Sequence, residues 1–293
     1  MTHSKGITQN NLSTPLVSVV VRTCAGRSGF LREAIESVLQ QNYKRVELVV
    51  VEDGSSEAAP LIESIRDQSR SRIVYLPLSK VGRCTAGNVG LEAAQGEFVQ
   101  FLDDDDLLFP QHLSQVSKAL SQNAAAVAAY GVAYEVPTVV LSQSPLRYQE
   151  LGWFVAHRQP FSHQLLASEN FLPIQTVLFR RLLFKQCGGF DERLDFLEDW
   201  DLWRRYSRQG DFVFVDQLTS LYRVPGSPAA AAARQLRFDA RCGPLRIQLR
   251  ELADGSQGIR WREWLRQVVL TRPWLYGIYW HGRRMYYRTR TAR

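Results

Sequence analysis

The sequence predicts an α/β fold: a doubly wound, mostly parallel sheet followed by a helical C-terminal extension. Three observations carry that prediction. Short apolar runs begin at Val17, Val46, Ile73 and Phe98, helical periodicity fills the intervals between them, and acidic clusters close two of the runs.

Val17 to Val21 is β-branched without polar alternation, as expected of a parallel strand covered on both faces. Phe30, Leu31, Ala34, Ile35, Val38 and Leu39 then recur at helical spacing, with Glu33 and Glu36 on the opposite side, which predicts an amphipathic crossover helix. Val46 to Val51 reads as a second buried strand that stops at the turn-forming residues Glu52-Asp53-Gly54-Ser55-Ser56. A helical stretch from about Ala59 to Arg70, a third strand over Ile73 to Leu78 and a helix over Thr85 to Ala94 follow. Phe98 to Leu102 is the fourth strand and runs directly into Asp103-Asp104-Asp105-Asp106. Beyond it, Val127 to Val136, Thr176 to Phe179 and Phe212 to Val215 read as strands and Leu197 to Gln209 as a helix. Pro225-Gly226-Ser227-Pro228 and Ala229 to Ala233 read as a linker into the C-terminal region. The expected boundaries are a disordered N-terminus over 1–14, a main domain over 15–226 with halves meeting near residue 126, and a basic, aromatic helical region over 227–293.

At 293 residues and 45% hydrophobic content the chain has ample material for a large core. Cys24, Cys84, Cys187 and Cys242 form no CxxC pair, which speaks against a zinc cluster or a disulfide framework and for a reducing compartment. No apolar stretch is long enough to cross a bilayer, so a cytoplasmic protein is expected. The net charge of +7 is uneven: from Gly226 onward there are 14 Arg, no Lys and 4 acidic residues, a local +10 that leaves the first 225 residues at about −3. That asymmetry excludes a uniformly basic nucleic-acid binder. Trp261, Trp264, Trp274 and Trp280 with four tyrosines share the cationic tail, a mixture suited to an anionic membrane surface, to a cap on the domain or to a dimer contact.

The chemistry-bearing residues lie where ligands of doubly wound sheets collect, beyond the carboxyl ends of the strands. In Asp103-Asp104-Asp105-Asp106 the adjacent like charges repel, and a hard divalent cation relieves the repulsion by binding one or two carboxylates together with diphosphate oxygens. The residue types fit equally an acidic turn in which Asp106 caps a helix, but the place at the end of a central strand favours a site. Glu52-Asp53-Gly54 can accept hydrogen bonds from a nucleobase or ribose, and reads as well as an ordinary Asp-Gly turn. In Leu197-Glu198-Asp199-Trp200-Asp201-Leu202-Trp203, three acids interleave with two indoles at a helix start; helix N-termini attract carboxylates anyway, and tryptophans on a helix commonly serve as core. The pair Arg180-Arg181 reads as solvated surface charge.

Taken in order, these motifs resemble a family 2 glycosyltransferase of the GT-A fold, a Rossmann-like architecture, over roughly Pro15 to Ser227. The resemblance rests on Val17 to Val21 with Ala34 to Tyr43, on Val50-Val51-Glu52-Asp53-Gly54-Ser55-Ser56, and on Asn88 to Leu91 with Ala94 through Asp106, which includes a DXD motif. It rests also on Glu198-Asp199-Trp200-Asp201-Leu202-Trp203, similar to the ED motif, and on Tyr222-Arg223 with Pro225-Gly226-Ser227. It implies an inverting transfer from a nucleotide-sugar donor, often a UDP-sugar, to a glycan or lipid-linked acceptor, with Mn²⁺ or Mg²⁺ as cofactor. It further implies that Asp53 holds the base beside Glu52, that Asp103 and Asp104 meet the ribose or metal-bound water, that Asp105 with Asp103 holds the metal, that Thr23 touches the nucleoside, and that Asp199 is the general base. Glu198, Trp200 and Trp203 then belong to the acceptor side. Two departures stand out: Arg22-Thr23-Cys24-Ala25 replaces the family's Pro-Thr-Tyr-Asn, and Gly87 stands where an Arg is common, with Arg83 as the substitute cation.

Two other functions use similar features. A sugar-1-phosphate nucleotidyltransferase would carry a Gly-rich phosphate loop after the first strand, and residues 22–29 are poor in glycine. A non-catalytic, membrane-associated module on a degenerate transferase fold would suit the tail but not the joint retention of Asp53, Asp103, Asp105 and Asp199.

Overall fold

The computed structural model describes residues 14–69 and 71–253. Four parallel strands form its first half: β1 (Val17–Cys24), β2 (Val46–Asp53), β3 (Arg72–Leu78) and β4 (Phe98–Asp103). They lie in the order β3-β2-β1-β4, with Cys24 opposite Asp53 and Arg22 opposite Asp103. The order reverses beside β1, so the ends of β1 and β4 flank the switch point where such sheets bind ligands. Right-handed crossovers need helices on the sheet faces, and α1 (Ser28–Leu39), α2 (Ala59–Arg66) and α3 (Arg83–Ala93) supply them. The α1 stripe of Phe30, Leu31, Ala34, Ile35 and Val38 is buried, which follows from its spacing.

The second half departs from the parallel scheme. After β5 (Leu107–Leu108) and α4 (His112–Gln122) comes a 16-residue strand, β6 (Ala128–Gln143), with β7 (Leu146–Glu150) and β8 (Phe154–Ala156) antiparallel to it. Then follow α5 (His163–Ser168), β9 (Val177–Arg180), α6 (Leu182–Cys187), α7 (Glu198–Tyr206) and β10 (Phe212–Pro225). β9 runs antiparallel to both β4 and β6 and joins the halves, and β10 lies between β6 and β5. The result is one ten-stranded mixed sheet.

Residues 229–233 are not a linker. They belong to α8 (Pro228–Ala253), which starts with Pro at the first helical position and Ser227 Oγ accepting from the Ala230 amide. Alanine is the strongest helix former, so the run that looked like a spacer propagates the helix. Arg180 and Arg181 are not simply solvated either. Their guanidiniums donate to the carbonyls of Ala126, Leu120 and Gly96 and tie loops to the sheet.

The chain divides into two compact units, 1–244 and 245–293. The first takes in the start of α8, where Phe238 meets Phe196 edge-on at 6.5 Å. The aromatic tail lies outside the described residues, as does the N-terminus over 1–13, and no helix among the described residues is long and apolar enough to cross a membrane. The four cysteines, all among the described residues, form no disulfide.

Candidate active site

At the carboxyl end of β1, Arg22 turns inward and binds Asp103 Oδ1 through Nε at 2.9 Å and Nη2 at 2.6 Å, and Glu198 through Nη1 at 3.3 Å. Arg83, the first residue of α3, bonds the same two acids, Asp103 and Glu198, at 3.0 Å each. The run closing β4 and the start of α7 thus meet across two arginines. Burial pushes the Asp103 carboxyl up, but Arg22 and Arg83 outweigh it and hold it below the ordinary carboxylate range.

The other three aspartates of the run divide their work. Asp104 is buried, accepts from Thr23 Oγ1 at 2.7 Å and from Arg27, and is pushed up to about 6 by burial against the pull of Arg27. Asp106 is buried as well, takes the Arg223 amide, and is driven well above the usual range by burial and by the charges of Asp105 and Asp103. Asp105 is the most exposed, with its side chain 35% accessible and one oxygen 2.8 Å from Arg27. Among the described residues no group of three or more His, Cys, Asp or Glu converges as a metal cage. Mg²⁺ and Mn²⁺ need less than that where a diphosphate completes the shell. Both Asp103 oxygens are engaged by Arg22 and Arg83 and one Asp105 oxygen by Arg27, so among the described residues Asp105 is the one of the two that keeps an oxygen, Oδ1, clear of the arginines for such an ion.

Asp53 closes β2 and accepts from Lys80 Nζ at 2.7 Å, the Val81 amide at 2.7 Å and the Gly82 amide at 3.2 Å. Burial raises its pKa, and these donors more than offset that and lower it. Gly82 adopts φ +93°, a conformation that suits glycine, and leads straight into Arg83, so the Asp53 turn and the α3 cation share one rim.

Asp199 stands in the first turn of α7. Its Oδ1 accepts from Asn170 Nδ2 at 3.2 Å and from the Trp200 amide at 2.7 Å, while Oδ2 accepts no hydrogen bond among the described residues. Burial and then the neighbouring charge of Glu198 push it up to about 6. Leu197, which precedes the pair, holds φ +62°, an uncommon and strained conformation for a bulky buried residue that aims Glu198 and Asp199 at the site.

Four expected contacts are corrected by this geometry. Trp200 and Trp203 are 0% exposed and donate their indole N–H to the Leu166 and Leu172 carbonyls, so they are core and offer no face to a sugar. Glu198 is buried and its Oε1 is taken by Arg22 and Arg83. Glu52 is buried too, taking the Glu57 and Ala58 amides and the Tyr75 hydroxyl, and so shapes the start of α2 instead of holding a nucleotide. Residues to which the sequence assigns no role at the site are Arg27, Lys80 and Asn170, and Arg223 is marked only as part of the closing segment. Arg223 donates to the Asp105 carbonyl at 2.6 Å and to Glu33 and Tyr148. The available clue was the adjacency of Arg22 and Arg27 to an apolar strand that faces four aspartates.

Comparison with known proteins agrees with the fold. Over 224 residues, 74% of this chain and 66% of the relative, the sequence is 30% identical to an uncharacterized glycosyltransferase of Rickettsia typhi. The uncharacterized glycosyltransferase EpsJ of Bacillus subtilis is 24% identical over 244 residues, 78% of this chain and 69% of EpsJ. The chain therefore spans just under two thirds of the first relative's length. Among solved structures, S. aureus TarS 1–349 in complex with UDP-GlcNAc superimposes with a TM-score of 0.58 at 18% identity, covering 74% of this chain and 61% of TarS. The mannosyltransferase PcManGT of Pyrobaculum calidifontis, in complex with GDP-Man and Mn²⁺, gives 0.55 at 15% identity over 90% of this chain and 82% of that one. The architecture is that of the GT-A glycosyltransferases. Residues 18–186 match the family described as Glycosyl transferase family 2, and the chain belongs to it.

Proposed function

We propose that the protein is an inverting glycosyltransferase that moves a sugar from a UDP-sugar to an acceptor hydroxyl of a glycan or lipid-linked saccharide, with residues 15–226 as the catalytic domain. The observation that carries the reading is the joint contact of Arg22 and Arg83 with Asp103 and Glu198, which sets a donor-side acidic run beside Asp199, the next residue of α7, whose pKa is raised. Departure of a nucleoside diphosphate builds negative charge on its β-phosphate. Arg83, whose side chain is 44% exposed, is the cation at the rim that can meet it. A Mn²⁺ or Mg²⁺ ion on Asp105 would act as a Lewis acid on the same charge. Asp53 receives the base and Thr23 the nucleoside through its backbone, since its hydroxyl serves Asp104.

On the acceptor side a hydroxyl is too weak an acid to react unaided and needs a base opposite the leaving group. Asp199 takes that proton on Oδ2, while Asn170 and the Trp200 amide fix the carboxylate through Oδ1. The rate should follow Asp199 ionisation, rising as pH passes about 6. The test is release of nucleoside diphosphate from a panel of UDP- and GDP-sugars with Mn²⁺ and a saccharide acceptor. Asp199→Asn should lose about 10² to 10⁴ in transfer and keep donor binding; full transfer by that variant would remove the assignment.

A further inference from the structure

Two arginines bridge the acidic run and α7, but they are not equivalent. Arg83 stands at the rim, whereas the Arg22 side chain is 5% exposed and lies near two phenyl rings, with its guanidinium 5.7 Å from the Phe101 centroid and 5.1 Å from that of Phe190. A Cβ on residue 87 would fall 2.6 Å from the Phe190 ring and 3.4 Å from Arg22 Cδ, so α3 carries no side chain where these two groups pack. A group so enclosed is poorly placed to meet a donor. What it reaches instead are carboxylates 81 and 176 residues away in sequence, the first with two nitrogens and the second with a third.

Resting on the reading of the preceding section, we propose that Arg22 is a positioning residue that sets the spacing between the acidic run after β4 and the Glu198–Asp199 step of α7, and so holds the base in register with the donor. A planar fork with nitrogens aimed in different directions makes such a bridge. An ammonium does not: the change Arg22→Lys would keep the charge and much of the stem between the rings, yet a single nitrogen would replace three fixed donors. Nothing else on β1 makes this link. The other cation spanning both acids, Arg83, comes from α3, is 44% exposed and reaches Asp103 with one nitrogen against the two of Arg22. Misplacement of a reacting group by about 1 Å costs on the order of 10² in rate, which makes the bridge kinetically visible without contact to substrate.

The experiment is a double-mutant cycle of Arg22→Lys and Glu198→Gln on the full chain, with the donor that the wild type consumes best among UDP-glucose, UDP-galactose, UDP-N-acetylglucosamine and GDP-mannose. Each single variant should lower kcat on the order of 10²-fold with donor KM little changed. The double should be no worse than a few-fold below the weaker single, because both changes cut one link. Losses that multiply in the double, a raised KM with kcat retained, or unaltered kcat would each overturn the proposal. So would a loss that merely follows a lowered melting temperature and vanishes when the assay is cooled. Amide hydrogen exchange supplies a readout independent of activity: Arg22→Lys should speed exchange at Trp200 and Asp201 while the β2 amides stay protected. Unchanged exchange at α7 refutes the bridge even if no donor is found. A wild type that releases nothing from any donor, with exchange altered as expected, refutes the transferase reading alone.

Discussion

His112 shows how far burial alone can move a side chain. It is 0% exposed, its Nδ1 lies 2.9 Å from Thr219 Oγ1 and its Nε2 3.1 Å from Gln100 Oε1, and burial lowers its pKa to about 3. The neutral imidazole is therefore the folded form. Because the folded pKa lies below the unfolded value near 6.5, its contribution to stability is full above pH 6.5 and is lost as pH falls toward 3. Asp104 and Asp199, raised to about 6, act in the opposite sense between roughly pH 4 and 6, so the test must be a difference. Urea unfolding at pH 7 and pH 4.5 should show wild type losing on the order of 2 kcal/mol more than His112→Gln over that interval. Equal losses would mean that His112 titrates normally. At this scale the places of Asp53, Asp103 and Asp105 at or just after strand ends, and of Asp199 in the first turn of a helix, are legible in the residue order. The partners of Arg22 and Arg27 are not, since an arginine in sequence looks the same whether it meets water or a carboxylate 81 residues on.

At the scale of elements, α7 carries both kinds of information. Its acids form the first turn and its indoles face inward, where Trp203 meets Phe179 at 5.8 Å, Tyr206 at 6.2 Å and Phe212 at 6.3 Å. Trp203→Ala should therefore cost about 3–5 kcal/mol in chemical denaturation through the cavity it leaves. Trp203→Phe should cost less, keeping a ring but leaving the Leu172 carbonyl unpaired. Loss of acceptor affinity without loss of stability would restore a role in sugar binding. The four parallel strands and α1 to α3 were readable because buried parallel strands are unbroken apolar runs. β10 was read only over its first residues, since Asp216 and Gln217 interrupt it and the pairing register shifts between Phe214 and Leu218 and again before Ser220. α4 has only Leu113, Val116 and Leu120 as large apolar residues on its buried face, beside the polar His112 and Ser117, which is a thin signal in sequence.

For the whole molecule, the uneven charge is the property no single element explains. The first 225 residues sum to about −3 and those beyond them to +10, so any attraction to anionic lipid would have to come from the sequence after residue 225. A cut at Gly226 would also strip the Phe238 contact with Phe196, so truncation after Ala253 is the cleaner comparison. Vesicles containing phosphatidylserine should co-sediment the full chain at low salt and release it as ionic strength rises, while the truncated form stays in solution. Equal sedimentation of both would refute membrane docking by the tail. Arg223 has a consequence of another kind. The acidic loop after β4 takes its shape from an amide and a guanidinium that follow it by more than a hundred residues, and from α7, which also comes late. A nascent chain that has released only its four parallel strands holds a sheet without a workshop: assembly of the site waits for β10 to leave the ribosome.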